Sequence, residues 1–394
     1  MSIEGLRALV ADFLAGHDPR TTDRLEFLRA RYDAGLAWVA YPQGHGGRGL
    51  PQAMQPEVDR LFAEAGAPDN RPGTNGIGLG MAAPTILSYG TEEQKDRFLR
   101  PLWTGEEIWC QLFSEPGAGS DLANVSTRAV RDGDGWVVNG QKVWTSGAHN
   151  ARYAILVART DPDQPKHFGL TYFLCDMTDP GVDVRPLRQI TGEAEFNEVF
   201  LTDVRIPDSQ RLGAEGEGWK VANATLNNER VSIGRSAERE SGMIGVVART
   251  WREHPEKRTS ELHDRLLRLW AEAEVFRMTG ARLRQKLAQG QPGPEGSAMK
   301  LAFARIAQQL SGLELEILGE DGLRYESDRG WSMVRPETVD FTGRDAGYRY
   351  LRAKGNSIEG GTSEILRNVV AERVLGLPGE HRVDKTLPWK EIPR

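Results

Sequence analysis

The chain has 394 residues, 39% hydrophobic and 27% charged, with 50 Lys and Arg against 56 Asp and Glu and a formal net charge of -6. That length can bury a large core and suggests two or three domains; the slightly acidic balance, without a Lys/Arg run, argues against nucleic-acid binding. Cys110 and Cys175 supply neither a disulfide framework nor zinc-type spacing, no apolar run nears the roughly 20 residues that span a bilayer, and the opening Met1-Ser2-Ile3 lacks a signal pattern, so the expectation is a cytoplasmic protein without metal or membrane contact.

Residues 1–107 carry helical periodicity, broken at Tyr41-Pro42-Gln43-Gly44 and Ala67-Pro68-Asp69-Asn70. Thr91-Glu92-Glu93-Gln94 has the form of an N-capped helix start. From 108 to 213 the texture is short strands, including Tyr153 to Ala158, Leu170 to Cys175 and Glu198 to Val204. Gly135 to Trp144 predicts a hairpin with Asn139-Gly140 as its turn. Helical patterns return over 214–380, interrupted at His254-Pro255 and at Gln289 to Pro294, and a last helix is predicted over Ser363 to Leu375. Residues 381–394 read as a polar tail. The fold class is therefore α+β and multidomain: a helical domain, a middle β-domain and a second helical domain.

The most informative segment is Ser114-Glu115-Pro116-Gly117-Ala118-Gly119-Ser120-Asp121. Two glycines and a proline make a tight loop whose N–H groups can converge on an anion, although an ordinary surface turn explains it equally well in isolation. Trp144, Thr145 and Ser146 place an aromatic beside two hydroxyls, and Gly360-Gly361-Thr362-Ser363 opens the last helix, where the dipole favours negative charge. Trp219, Ala222, Leu226, Glu229 and Ile233 follow steps of 3 and 4, so Glu229 sits in an apolar helical stripe; a desolvated carboxylate there suits a base, and a salt-bridged stripe edge is the alternative. Glu359, just ahead of a helix N-terminus, competes for the role. No G-x-G-x-x-G, P-loop, G-x-S-x-G or H-E-x-x-H is present.

Together these segments resemble the acyl-CoA dehydrogenase family over nearly the full length. The resemblance rests on E-P-G-A-G-S-D, N-G-Q-K-x-W, the Phe196 to Pro207 segment, Gly216-Glu217-Gly218-Trp219 and Gly361-Thr362-Ser363-Glu364-Ile365, in that order. It implies an N-terminal helical domain, a middle antiparallel β-barrel-like domain and a C-terminal four-helix bundle, with FAD between the last two. It implies α,β-dehydrogenation of an acyl-CoA thioester to a trans-2-enoyl-CoA, with a Glu base, flavin N5 as hydride acceptor and an electron-transfer flavoprotein as electron acceptor. Carried onto this chain, Leu112, Phe113, Ser114, Gly119, Ser120, Trp144, Thr145, Ser146, Thr362 and Glu364 would meet the cofactor, and Ser120, Asn227 and Arg230 the substrate. One family position for the base, two residues before the Thr of the Gly-Thr turn, is Gly360 here, with Glu359 one residue early; the other, on the helix opening the bundle, is Glu229.

Two departures bear on assembly. The family's Arg-x-x-Phe-Gly segment is missing from Arg249 to Pro255, and its Gly-Gly-x-Gly-Tyr turn is replaced by Leu318-Gly319-Glu320-Asp321-Gly322. With Gly293-Pro294-Glu295-Gly296-Ser297, these resemble actinobacterial sterol-type members, some of them α2β2 heterotetramers; a homo- or heterotetramer is expected. Gly76, Gly78 and Gly80 hint at a roomy acyl pocket, or at helix–helix contact. Competing functions are a flavin monooxygenase or oxidase on the same fold and a non-catalytic partner subunit.

Overall fold

Side-chain caps and apolar stripes set the first helices of the computed structural model, which describes residues 1–70, 73–232, 238–288, 295–324, 344–382 and 384–392, without the side chains of 228–232 and 287–288. Ser2 caps α1 (Ile3–Gly16) and Asp23 caps α2 (Arg24–Asp33), each side chain accepting from first-turn N–H groups. With α3 (Gln55–Glu64) they bury Leu6, Val10, Phe13, Phe27, Val58 and Phe62 in one cluster. A π-helical turn, Gly78–Ala82, leads into α4 (Ala83–Tyr89). The start of α5 (Glu92–Thr104) is N-capped by Thr91, as the sequence predicts, and Gln94 completes a capping box with it. The Gln94 amide also donates to the Ser209 and Arg211 carbonyls at 2.8 and 2.9 Å, joining α5 to the end of the β-region.

The β-region holds β1 (Trp109–Leu112), β2 (Arg128–Asp132), β3 (Gly135–Ser146), β4 (Tyr153–Arg159), β5 (Leu170–Asp176), β6 (Val182–Pro186) and β7 (Phe196–Pro207). They form one sheet in the order β1-β4-β2-β3-β7-β6, with β5 also on β4. The long pairings are antiparallel, and β1 runs parallel to β4. β4 is buried along its whole length, which accounts for its unbroken apolar run. Cys110 on β1 and Cys175 on β5 both pair with Ala154 of β4 and are fully buried.

The Asn139-Gly140 hairpin does not form. Residues 135–146 are one strand, and the turn lies earlier, at Gly133-Asp134, where Gly133 has φ 61°. Asn-Gly instead marks a β-bulge: the register against β7 slips between Val138 and Gly140. A Cβ on Gly140 would lie 2.4 Å from Thr127 Oγ1, so close packing requires glycine there. Asn139 exchanges two 3.0 Å hydrogen bonds with Asp203, itself at φ 52°.

The chain divides into two compact units. Unit 1 comprises 1–186, 196–225 and 384–394; unit 2 comprises 187–195 and 226–383. Helix α6 (Gly218–Ser232) runs from the end of the first into the second. In unit 2, α9 (Gly296–Leu318) packs against α7 (Met243–Glu253), α8 (Ser260–Ala288), α10 (Ala346–Ala353) and α11 (Ser363–Arg373). Its core includes Val247, Leu266, Leu269, Leu310, Leu313 and Ile317. The segment Arg249 to Glu253 lies on α7, and Gly319, at φ 62°, ends α9. Gln289 to Pro294 and Ile233 lie outside the described residues. Among the described residues no helix is long and apolar enough to cross a membrane, and no His/Cys/Asp/Glu cluster could hold a metal ion.

Candidate active site

In unit 1 the loop after β1 closes on itself. Glu115 and Ala118 exchange backbone hydrogen bonds of 3.1 and 3.0 Å around Pro116-Gly117. The Val143 N–H donates to the Ser114 carbonyl at 2.9 Å, which brings the loop against the end of β3. The two motifs therefore form one structure.

An ion pair lies beneath them. Lys142 is fully buried, and its Nζ donates to Glu115 Oε1 at 2.8 Å and to the Phe113 and Val157 carbonyls at 3.0 and 2.8 Å. Glu115 also accepts from the Ser126 N–H and Oγ–H and from the Thr127 N–H, at 2.6, 2.8 and 2.9 Å. Burial pushes the Glu115 carboxyl up, but the Lys142 charge and these donors outweigh it and hold the group down, to about 2. Burial likewise pulls Lys142 below its usual range against the upward pull of Glu115. We read the pair as ionised, because every Glu115 contact is a donor. Both residues lie in the sequence motifs, where neither has an evident role; the signal that marks the pair is Lys142 at an inward strand position.

A second register slip, between Lys142 and Thr145, re-aims the strand end. Trp144 takes φ 60° and is 56% exposed, its ring edge-on to Phe196 at 5.8 Å. A bulky non-glycine residue in this region stores strain of order 1–3 kcal/mol. Thr145 turns inward; Asn197 Nδ2 holds its carbonyl at 3.0 Å, and its buried Oγ1 has no hydrogen-bond partner among the described residues. Ser114 and Ser146 are half-buried, and Gly119 and Ser120 exposed. Neither Gly117 nor Gly119 needs its glycine for the chain's own sake: φ is outside the left-handed region, and an added Cβ would meet nothing within 4 Å. Leu112 and Phe113 are interior, Phe113 standing edge-on to Tyr172 at 5.8 Å.

Helix α6 is fixed in unit 1 by buried hydroxyls. Thr225 Oγ1 lies 3.0 Å from both Thr85 Oγ1 and Tyr172 OH and donates to the Val221 carbonyl. Asn227 follows, exposed, and Glu229 and Arg230 stand one turn beyond Thr225, their side chains outside the described residues. Trp219 and Leu226 are half-buried and Ala222 buried, as the stripe predicts.

In unit 2, Gly360 and Gly361 both take left-handed φ, 61° and 93°, and Lys300 Nζ donates to the Gly361 carbonyl at 2.7 Å. Thr362 caps α11, accepting from the Ile365 N–H at 3.2 Å, while Glu364 is exposed near Arg367. Glu359 is engaged through both oxygens by Arg352, at 3.0 and 2.7 Å.

A fit to a flavin nucleotide rests on unit 1: an inward hydroxyl without a hydrogen-bond partner among the described residues, open space over Gly117 and Gly119, and a strained, exposed indole near the end of β3. Comparison with known proteins agrees. Models described as acyl-CoA dehydrogenase N-terminal, middle and C-terminal domains match residues 4–106, 110–204 and 216–375. Acyl-CoA dehydrogenase FadE34 of Mycobacterium tuberculosis is 42% identical over 354 residues, covering 88% of this chain but 45% of the relative, so the chain spans less than half of that protein's length. Acyl-CoA dehydrogenase IpdE1 of the same organism is 40% identical over 88% of this chain and 86% of its own. Among solved structures, the Tcur3481-Tcur3483 steroid ACAD aligns with TM-score 0.73 at 27% identity over 96% of this chain and 98% of its own. The ChsE4-ChsE5 complex from Mycobacterium tuberculosis aligns with TM-score 0.71 at 29% identity, covering 96% and 98%.

Proposed function

The chain belongs to the acyl-CoA dehydrogenase family, and on that premise we propose that it converts an acyl-CoA thioester to the trans-2-enoyl-CoA with Glu229 as the α-proton base and an electron-transfer flavoprotein as electron acceptor. Members of the family are FAD-dependent flavoproteins, and bound FAD supplies the acceptor for the hydrogen and electron pair that leave Cβ.

The observation that carries this reading is the joined loop and strand end over the Glu115–Lys142 pair, with the Thr145 hydroxyl left without a hydrogen-bond partner among the described residues. Ser114, Gly119, Ser120, Trp144, Thr145 and Ser146 would hold the cofactor, with the backbone at Leu112 and Phe113 supporting them; Thr362 and Glu364 join them by the order of the family motifs. Asn227 and Arg230, with Ser120, are assigned to the substrate. Two observations favour Glu229 over Glu359. Both oxygens of Glu359 are engaged by Arg352, and Thr225, one turn before Glu229, ties α6 to Thr85 and Tyr172 through two hydroxyl contacts.

For the acyl group we propose a bulky, ring-bearing chain. Added Cβ atoms on Gly76 and Gly80 would meet nothing, whereas Gly78 is tied to the chain's own packing against Asn75. Two solved relatives are named as a steroid ACAD. For the assembly we propose a heteromer with a second subunit of the same family, supported by the two-component names of those structures and by a relative about twice this chain's length. A cytoplasmic location completes the proposal.

Anaerobic titration with a panel of acyl-CoA thioesters, followed by flavin absorbance at about 450 nm, tests it. Bleaching in the wild type and in Glu359→Gln, but not in Glu229→Gln, is expected. Loss in Glu359→Gln alone would transfer the base to that residue. Rapid reoxidation of the reduced flavin by oxygen would favour an oxidase.

A further inference from the structure

The last of the three family-model matches ends at residue 375, yet the chain continues and re-enters unit 1 at Asp384. Its last described residues do not lie idle on the surface. The Trp389 N–H donates to the Gln164 carbonyl at 2.9 Å, the Lys390 N–H donates to the Pro162 carbonyl at 3.1 Å, and Pro388 bridges to Pro165. The segment is thereby laid along residues 162–165.

Two side chains then reach the same place. Lys166, 1% exposed, donates to both oxygens of Asp121, at 2.9 and 2.7 Å, and to Asp384. Trp389 Nε1 donates to Asn124 Oδ1 at 2.8 Å, and the Arg159 guanidinium lies 4.6 Å over its ring. Arg159 in turn donates to the Ala123, Val125 and Lys166 carbonyls, at 2.7, 3.2 and 2.9 Å. Asp384 and Trp389 thus bracket the Asp121–Val125 turn, one at each end. Buried cationic groups need such partners, so both joints are directional constraints.

We propose that residues 384–392 are a clasp that positions Ser120 and Asp121 for a phosphate-bearing nucleotide ligand, with Asp384 and Trp389 as positioning residues acting through Lys166, Arg159 and Asn124. The ligand part rests on the loop's role under the proposed function; the clasp itself does not. A loop whose downstream end is pinned at two points presents its N–H groups in one arrangement, which lowers the ordering cost on binding.

The test is hydrogen exchange of the full-length, flavin-loaded protein, wild type against the Asp384→Asn/Trp389→Ala double variant, with Asp384→Glu as the conservative control. Exchange over 121–126 should rise about tenfold in the double variant, as expected for losing roughly one net charge-assisted bond, with 153–159 unchanged. Asp384→Glu should stay close to wild type. Flavin loss on gel filtration would identify the dinucleotide as the affected ligand; a raised KM for acyl-CoA at full flavin content, with kcat retained, would identify the CoA thioester. Unchanged exchange would overturn the clasp. Faster exchange with flavin content and KM both unchanged would overturn its positioning role. Failure of every acyl-CoA to bleach the wild type would refute dehydrogenation and leave the exchange comparison standing.

Discussion

Lys142 can be buried only because Glu115 is beside it. Replacing Glu115 with Gln leaves an ammonium in the interior without a counter-charge, and should lower the unfolding free energy by about 3–5 kcal/mol in urea titration. The pH dependence has a definite sign. The folded Glu115 carboxyl is held at about 2, below its unfolded value, so its contribution is fully present above about pH 4.5 and is lost as pH falls toward 2. Glu115→Gln should lack that portion of the acid transition. Thr145 behaves oppositely: its hydroxyl has no hydrogen-bond partner among the described residues, so Thr145→Val should leave apoprotein stability within about 0.5 kcal/mol of wild type while weakening flavin retention about tenfold. The face of α6 that carries Trp219, Ala222 and Leu226 was legible from the sequence, because helical period is local; Glu229, the proposed base, continues its spacing. The pairing of Glu115 with Lys142 was not, because residues 27 apart meet only through the sheet.

Element identity followed from periodicity and caps, and the exception is instructive. The Asn139-Gly140 dipeptide serves hairpin turns and β-bulges for related reasons, since both need a residue without a Cβ or with an adaptable side chain. Gly133-Asp134 two residues before β3 forms the actual turn, and the contact that decides between the two positions, Gly140 against Thr127, is nonlocal. Gly140→Ala should therefore cost about 1–3 kcal/mol by thermal or urea unfolding. Gly117→Ala should leave the unfolding midpoint unchanged and act on flavin binding instead, because nothing in the chain occupies that space.

At the scale of the molecule, motif order identified the family and the helix–sheet–helix succession, but not the return of the C-terminal segment to unit 1. A polar stretch carries no period from which docking could be read, and its anchors are a few isolated backbone and side-chain hydrogen bonds to residues more than 200 positions away. Assembly gives a prediction here: expressed alone, the chain should carry less than one FAD per protomer, and co-expression with a second family subunit should raise the ratio, measured by flavin absorbance against protein mass. Cys110 and Cys175 flank Ala154 across three adjacent strands, and burial pushes both thiols up, Cys175 to about 12. Two strand spacings, about 9.5 Å, are too wide for a disulfide, and neither thiol reaches its reactive anion in the folded sheet. The pair is a built-in clock for opening of the sheet's centre: an alkylating reagent should modify both at one common rate, set by how often the strands part and not by the reagent's access to either.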